Sequence, residues 1–335
     1  MGHRKQSAPR HGSLAFQPRS RTQRAVARIR YWPTLTSTEP RVLGFAGYKA
    51  GTTHVMAIDN RDYSLMRGRE IKIPVAVLET PPLKVIAVRA YTLSPKGLIA
   101  LTEVWWETLP KQVSRRIPTM RKATQRTKID DLLHMNEKID DVRIIVCTQP
   151  WICGFGKNRP EVFELPLSGD LDKKIQLATS LLGHDVNAND VLTEGQYVDV
   201  FSMTKGKGFA GVVKRFHVRI MARKSNKTRR GIGTQGAKSP NNIMYTVPRA
   251  GQLGYWQRLV RNLRVFKIGS DGKEATANGG FLRYGELKTN YILLAGPVPG
   301  PAKRLVRIRF SARRKEIVKN QFQITAISLE SKQGV

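Results

Sequence analysis

The chain has 335 residues, 40% of them hydrophobic, a formal net charge of +33 and a sequence pI of about 10.7. This length and apolar content allow one large domain or two smaller ones, and the charge points first to a nucleic-acid partner. A membrane partner is disfavoured, because no stretch approaches the roughly 18 apolar residues of a spanning helix and no basic amphipathic helix is evident.

Residues 1–38 form a cationic N-terminal segment without any Asp or Glu. Pro9, Pro18 and Pro33 argue against a long helix, because proline cannot continue the helical hydrogen-bond pattern. We interpret the segment as an extended RNA-binding arm; the alternative is a solvated, disordered tail. Its cations are Arg4, Lys5, Arg10, Arg19, Arg21, Arg24, Arg28 and Arg30, with His3 and His11 between them.

The next part of the chain is rich in predicted strands. Val42–Ile58 is interpreted as two strands joined through Lys49-Ala50-Gly51, and Glu70–Glu79 alternates apolar and polar residues as a half-buried strand does. Pro81-Pro82 interrupts the pattern, and Leu83–Thr92 resumes it. Short connections between strands predict a small barrel or sandwich.

Between residues 94 and 189 the pattern changes, and we expect a small inserted α+β unit. Val142–Thr148 is a continuous apolar strand. A helix is predicted after Asp170, a plausible N-cap, and before Gly183. The apolar faces of two predicted helices are Ile129, Leu132, Leu133 and Ile139 in the first, and Leu171, Ile175, Ala178, Leu181 and Leu182 in the second.

The stretch Val200–Ser270 also lacks Asp and Glu. Its middle, Ser225–Gln252, has no sustained apolar period and cannot bury enough apolar surface to fold alone. Strand-like runs, Tyr197–Thr204 and Leu263–Ile268, flank it. The pattern therefore indicates a basic arm inserted in a folded body, whose repulsive charge a phosphate backbone would neutralise.

The C-terminal part predicts three more strands, Tyr291–Ala295, Leu305–Phe310 and Phe322–Leu329, after turns at Asp271-Gly272 and Asn278-Gly279. One of these strands carries several cations, which we expect on one exposed basic face continuous with the arms. These cations are Arg304, Arg307 and Arg309.

Two glycine-rich stretches resemble nucleotide-binding loops. Gly206–Gly211 matches G-x-G-x-x-G, but such a site needs a helix next, whereas Val212–Phe216 is strand-like, and the next acid is Asp271. Gly231–Ser239 resembles a phosphate loop, but Ala237 breaks its register. We interpret these glycines as positions of tight turns and close backbone approach.

No catalytic constellation is evident. Cys147 and Cys153 lack partners at zinc spacing, are predicted to be core thiols, and indicate a reducing, cytosolic compartment. The pairs Asp130-Asp131 and Asp140-Asp141 are better explained as helix caps and surface charge, and the histidines are scattered. We predict no enzymatic activity, no cofactor and no metal.

The stretch Arg249–Arg258 interleaves aromatic residues with cations. Tyr255 and Trp256 could stack on unpaired bases, which is worth roughly 1–3 kcal/mol per base. The alternative is that one of them anchors the arm. We expect one residue to serve each purpose.

Several of these stretches together resemble the universal large-subunit ribosomal protein L three family in its archaeal and eukaryotic branch. The matches follow one another through nearly the whole chain. They are His3-Arg4-Lys5, Ala8–Gly12, Leu43–Gly51, Thr80-Pro81-Pro82, Thr204–Phe209, Arg249–Gln252, Tyr284-Gly285-Glu286 and Pro299-Gly300.

The resemblance implies an α+β, mainly β protein with a barrel like the second domain of translation factors. The implied organisation is a basic N-terminal extension over 1–38, a split barrel body over 39–93 and 190–335, an inserted α+β unit over 94–189, and an extended arm over 220–262. The implied partners are large-subunit ribosomal RNA and neighbouring ribosomal proteins, without a membrane and without homo-oligomerisation. The arm is expected to approach the peptidyl transferase centre without taking part in its chemistry.

Two positions differ from the family pattern. Lys214 stands where eukaryotic relatives carry a His, and Lys238 stands where relatives carry a Trp at the tip of the arm. The Lys238 ammonium is expected to hold the tip electrostatically. The residues predicted to bind ribosomal RNA are Arg4, Lys5, Arg10, His11, Arg19, Arg21, Lys205, Lys207, Lys214, Arg215, Arg223, Lys224, Lys227, Arg229, Arg230, Lys238, Arg249, Tyr255, Trp256, Arg258 and Arg261.

Two alternative functions predict different features. An RNA-modifying enzyme with basic appendages requires a cofactor loop or an acid/base set, and the sequence shows neither. A general nucleic-acid-packaging protein, such as a chromatin-type DNA binder, predicts equal affinity for any duplex. The interleaving of aromatic residues with cations instead favours folded or single-stranded RNA.

Overall fold

The computed structural model describes residues 12–35, 39–118, 138–226, 228–236, 239, 241–313, 321–331 and 333. The described chain is mainly β with a few short helices. It forms two compact units, one drawn from residues 1–25 and 203–258, and the other from residues 26–202 and 259–335. We call the first the acid-free unit, because its two segments contain no Asp or Glu, and the second the main unit.

Fourteen strands and three α-helices make up the regular structure of the described residues. Short 3₁₀ turns cover Leu14–Phe16, Val113–Arg115 and Gly272–Ala275. The helices are α1 (Leu171–Leu181), α2 (Ala188–Val191) and α3 (Val212–Phe216). The strands are β1 (Gly44–Asp59), β2 (Glu70–Glu79), β3 (Leu83–Ser94), β4 (Gly97–Trp105), β5 (Asp141–Cys147), β6 (Val162–Pro166), β7 (Asp185–Val186), β8 (Tyr197–Met203), β9 (Gly206–Ala210), β10 (Gly251–Gly254), β11 (Gln257–Gly269), β12 (Tyr291–Ala295), β13 (Leu305–Phe310) and β14 (Phe322–Ile327).

The larger sheet of the main unit has the strand order β13-β8-β11-β12-β2-β1-β14. Strand β1 pairs with β13 at Gly44–Tyr48 and with β14 at Val55–Asp59, so one long strand serves two neighbours in turn. Because β13 also begins the order, the pairing β13–β1 returns the path to its start. Strands β13, β8, β11, β12, β2 and β1 therefore form a hydrogen-bonded ring.

Strand β1 corrects the prediction of two strands joined through Lys49-Ala50-Gly51. It is one strand of 16 residues, with a register shift between Lys49 and Gly51. A Cβ atom at Gly51 would lie 2.4 Å from the Phe281 ring. The glycine thus permits close packing at a bulge rather than a chain reversal, and a single sequence cannot distinguish these two uses.

The smaller sheet of the main unit has the order β4-β3-β5-β6, and β7 also pairs with β3. Helix α1 packs against β5 and β3 through its buried residues Ile175 and Ala178. Asp170 lies at the predicted N-cap, although its side chain makes no capping hydrogen bond. The predicted apolar helix face containing Ile129, Leu132 and Leu133 lies outside the described residues.

Buried polar groups join distant parts of the main unit. The fully buried Glu79 carboxylate accepts hydrogen bonds from the backbone N–H groups of Lys288 (2.8 Å) and Thr289 (3.0 Å) and from the Tyr284 hydroxyl. Burial raises the pKa of Tyr284, which keeps its hydroxyl a donor. Glu79 thereby fixes the loop that contains the family-like motif Tyr284-Gly285-Glu286.

The predicted exposed basic face on β13 is wrong, because Arg307 and Arg309 are buried, and Arg304 precedes the strand and is half-buried. Arg307 and Arg309 are only 6% and 4% exposed. Arg309 forms an ion pair with buried Asp199 at 2.9 Å, and Arg307 donates to the carbonyl oxygens of Ala27 (3.1 Å) and Glu164 (2.9 Å). Alternation along a strand predicts a shared face but does not show whether that face is solvated.

Candidate nucleic-acid interface

The acid-free unit combines the two segments of the sequence that lack acidic residues. No Asp or Glu occurs in residues 1–25 or 203–258, so all 25 acidic residues of the chain belong to the main unit. The positive charge of the acid-free unit therefore has no internal counter-charge. A surface of this kind is typical of proteins that neutralise phosphates.

A two-stranded antiparallel ribbon forms the base of this unit. Strands β9 and β10 pair with Gly251 opposite Ala210 and Gly254 opposite Gly206. Gly254 has φ +72°, and a Cβ atom there would lie 2.0 Å from the Lys205 carbonyl oxygen. The close approach of these two backbone segments therefore requires glycine at position 254.

The glycine motif lies in the ribbon rather than in a nucleotide-binding loop, because Gly206–Ala210 is strand β9. Val212–Phe216, predicted to be strand-like, is the short helix α3, so that prediction is wrong. Val212 and Phe216, one helical turn apart, are both buried. Valine and phenylalanine favour strands by propensity, but burial of one helical face decides the local structure.

Arg215 holds three segments of the acid-free unit together. Its guanidinium donates to the carbonyl oxygens of Gln252 (3.0 Å), Arg249 (2.8 Å) and Arg19 (3.3 Å). Burial and the neighbouring Arg19 charge lower the pKa of Arg215. Three donors of this predicted RNA-binding residue thus already have protein acceptors, and its geometry fits a positioning role.

Cations and aromatic rings alternate around a cleft of about 280 Å³ in the same unit. The Arg19 guanidinium lies 4.7 Å from the Phe216 ring centroid, and Arg258 lies 4.6 Å from Phe16 and 5.0 Å from Trp256. The Trp256 indole N–H is buried without a hydrogen-bond partner among the described residues. The cleft therefore offers two cations and aromatic faces.

The segment between α3 and β10, residues 217–250, contains no helix or strand among its described residues. All five of its predicted RNA-binding cations that the structure describes are exposed. These are Arg223, Lys224, Arg229, Arg230 and Arg249. A chain without regular structure and with solvated cations can follow an irregular anionic surface.

The other predicted residues fall into three groups. Arg19, Arg215, Tyr255, Trp256 and Arg258 are half-buried, and all of them belong to the acid-free unit. Exposed residues outside the 217–250 segment are Arg21, Lys205, Lys207, Lys214 and Arg261, of which Arg261 belongs to the main unit. Arg4, Lys5, Arg10, His11, Lys227 and Lys238 lie outside the described residues.

Sequence reasoning missed three exposed aromatic residues of the acid-free unit. Phe16, Phe209 and Tyr245 are 53%, 81% and 72% exposed. Phe209 follows Lys207-Gly208 within the ribbon, so an aromatic residue in a glycine-rich cationic stretch was the available signal. Exposed rings beside cations suit stacking on unpaired bases.

The described residues show no group of metal-ligating side chains, and no helix among them is long and apolar enough to cross a membrane. Cys147 and Cys153 are free and buried, as predicted. Burial raises the pKa of Cys147 to about 12 and raises that of Cys153 as well, so neither thiol is a reactive thiolate near neutral pH.

The fold and this interface define a mainly β protein built to bind a polyanion. The family model described as Ribosomal protein L3 matches residues 1–334. The chain belongs to this family.

Curated relatives agree with the assignment. The chain is similar to the large ribosomal subunit protein uL3 of Methanopyrus kandleri, with 43% identity over 100% of this chain and 94% of the relative. The uL3 protein of Methanococcus vannielii is 42% identical over 98% of this chain and 99% of its own length. That of Pyrobaculum calidifontis is 44% identical over 91% and 92%, respectively. These archaeal relatives agree with the expected archaeal and eukaryotic branch.

Proposed function

We propose that this chain is a structural constituent of the large ribosomal subunit, where its acid-free unit binds large-subunit ribosomal RNA. One observation carries the proposal: every acidic residue lies in the main unit, and the two acid-free segments share one compact unit. Family membership makes the chain a ribosome component rather than an enzyme, located with the large subunit in the cytoplasm.

The acid-free unit acts by neutralising phosphates. Packed RNA helices repel one another, and exposed Lys and Arg lower that repulsion while they release condensed counterions. Exposed cations such as Lys207, Arg223 and Arg230 are suited to phosphate contacts. Phe16, Phe209 and Trp256 provide stacking surfaces, and Arg215 holds the segments that carry them.

The finer organisation follows the family resemblance. The ring of six strands in the main unit supports a barrel like the second domain of translation factors. We retain the predicted extension over 1–38, the split body over 39–93 and 190–335, the insertion over 94–189 and the arm over 220–262. The 217–250 segment, as the core of that arm, reaches toward the peptidyl transferase centre without taking part in its chemistry.

The proposed partners are large-subunit ribosomal RNA and neighbouring proteins of the subunit, with no membrane and no second copy of the chain. The uL3 names of the relatives support the first two partners. The RNA contacts of the 21 residues predicted from sequence are part of the same proposal, including those outside the described residues.

Fractionation of cells that express the tagged full-length chain tests this proposal. We expect the chain to comigrate with large subunits in a sucrose gradient at about one copy per subunit, and to copurify with large-subunit RNA. A substoichiometric, transient association would favour an RNA-modifying enzyme. Copurification with bulk RNA or DNA in proportion to abundance would favour a general packaging protein.

A further inference from the structure

The β3–β4 hairpin exposes apolar side chains on both of its faces, and the proposed function does not use them. Leu93, Leu98, Ile99 and Leu101 are 67%, 42%, 50% and 39% exposed. Leu93 and Leu98 face each other directly in the register of the two strands. In soluble proteins, clustered exposed apolar side chains mark interaction surfaces.

The hairpin extends beyond the rest of its sheet. Strand β5 pairs with β3 only as far as Tyr91, which lies opposite Asp141. Beyond that point the Asp140 carboxylate accepts from the backbone N–H of Leu93 at 2.5 Å and occupies that edge of β3. The turn is fixed as well, because the Ser94 hydroxyl donates to the Gly97 carbonyl oxygen at 2.8 Å.

The outer edge of β4 has no partner strand in the part of the chain that the structure describes, and β4 ends the order of its sheet. Natural proteins protect such edges with lysine, proline or a covering segment, whereas β4 begins Gly-Leu-Ile-Ala-Leu. An open apolar edge is suited to pairing with another strand.

The charge of the hairpin distinguishes protein from RNA as the occupant. From Tyr91 to Thr102, Lys96 at the turn is the one charged residue, in a chain that is 25% charged. Phosphate contacts need several cations, which this surface lacks. An extended apolar protein segment matches both the side chains and the backbone edge.

We propose that the outer edge of β4 binds an extended apolar segment of a neighbouring large-subunit protein, which adds a strand to this sheet. The inference rests on the proposed function, because the partner is sought within the large subunit. Backbone hydrogen bonds supply the pairing, and Leu98 and Ile99 occupy alternate faces against the side chains of the added strand.

Amide exchange measured on the full-length chain, free and in purified large subunits, tests whether the edge becomes paired. We expect the backbone amides of Leu98 and Ala100 to exchange rapidly in the free chain and to become protected in the subunit. These two amides point to the outer edge, because the N–H of Leu93, opposite Leu98, bonds to Asp140 rather than across the hairpin. Slow exchange in the free chain would show that the edge is already covered, and rapid exchange in both states would show that nothing pairs with it. Either result overturns the inference.

A photo-crosslinking amino acid at Leu98 identifies the occupant in assembled subunits. We expect crosslinks to one segment of a neighbouring protein, and a loss of about tenfold when Ile99→Lys is added, because a buried ammonium opposes pairing. Leu65→Lys, at a leucine that is 99% exposed elsewhere, is the matched control and should leave the yield unchanged.

Three crosslinking results overturn the inference: crosslinks to RNA, no crosslinks, or a yield that Ile99→Lys leaves unchanged. If the chain is present in large subunits while one of these results is found, the inference fails and the proposed function stands. If the chain is absent from large subunits, both fail.

Discussion

At the scale of single residues, the arginines of this chain have different physical roles that composition does not separate. Arg215 donates to backbone carbonyls, Arg309 is buried in an ion pair, and Arg223 is exposed to solvent. The sequence predicted all three as part of a basic surface, because charge and spacing alone do not reveal burial. Removing each should therefore affect different measurements.

We predict that Arg215→Met loosens the acid-free unit as well as weakening RNA binding. Loss of three charge-assisted hydrogen bonds leaves the carbonyl oxygens of Arg19, Arg249 and Gln252 without this donor. Amide exchange in residues 13–22 and 249–254 should accelerate. Lys207→Met is the control: it should lower RNA affinity without changing exchange, and equal exchange in both variants would refute the positioning role.

We predict that Asp199→Asn lowers the free energy of unfolding by about 3–5 kcal/mol, because it leaves the Arg309 charge buried without its counter-ion. The Arg309 and Asp199 side chains are 5% and 1% exposed and lie 2.9 Å apart. Urea denaturation measures the change. Asp62→Asn, which breaks an exposed pair with Arg67, should cost less than about 1 kcal/mol. Similar costs for both variants would contradict the account.

We predict that the buried Cys147 thiol makes the free energy of unfolding fall as pH rises above about 9. Burial raises its pKa from the ordinary 9.0 to about 12, so this thiol stabilises the folded state below pH 9 and loses that contribution as pH rises toward 12. In Cys147→Ala, the fall of unfolding free energy between about pH 9 and pH 11 should be shallower by up to about 1.4 kcal/mol per pH unit. Denaturation at several pH values measures the slope, and an unchanged slope would show that the thiol is hydrated.

At the scale of elements, the sequence predicted strands best where one face alternates. Glu70–Glu79 was recognised because its apolar residues recur at every second position of the sequence. Leu83–Thr92 and Leu305–Phe310 were recognised as strand-like runs, and most of their residues are buried. The pattern failed where long-range packing decides. Gly51 permits a bulge against Phe281 instead of a turn, and Val212–Phe216 becomes helical because one face is buried.

The 217–250 segment should be separable from the fold. We predict that replacing residues 219–248 with a short Gly/Ser linker leaves the thermal melting transition of the chain intact. A short linker can join the two ends of the deletion because they lie close together: the Arg215 guanidinium donates to the Arg249 carbonyl oxygen at 2.8 Å. RNA affinity and its salt dependence should both fall, the salt slope by roughly 0.7–0.9 for each phosphate that the deleted cations no longer neutralise.

A scrambled segment of the same composition is the control for this deletion. It should retain most of the salt dependence, because counterion release depends on the number of phosphates neutralised rather than on their order. Loss of the melting transition on deletion would show that the segment belongs to the core.

At the scale of the whole molecule, charge is segregated by compact unit. The sequence showed the two acid-free stretches separately and placed them in different parts of the predicted organisation. The structure brings their described residues into one unit, through contacts such as Thr22 N–H to the Tyr255 carbonyl oxygen at 3.1 Å. Such a long-range pairing leaves no local pattern in the sequence, and for this reason it could not be predicted.

Segregation has a functional consequence, because each unit can be optimised for one task. The main unit contains acids that pair with its arginines, as Asp199 does with Arg309. It also contains a core of buried apolar side chains. The acid-free unit keeps its cations available for an external polyanion. RNA contacts should therefore be concentrated in the acid-free unit and sparse in the main unit.

Ultraviolet crosslinking of purified large subunits, followed by mass spectrometry of the RNA-bound peptides of this chain, tests that claim most directly. Most crosslinked residues should lie in 1–25 and 203–258, with aromatic positions such as Phe209 and Trp256 among them. Crosslinks spread evenly over both units, or concentrated in residues 26–202, would contradict it.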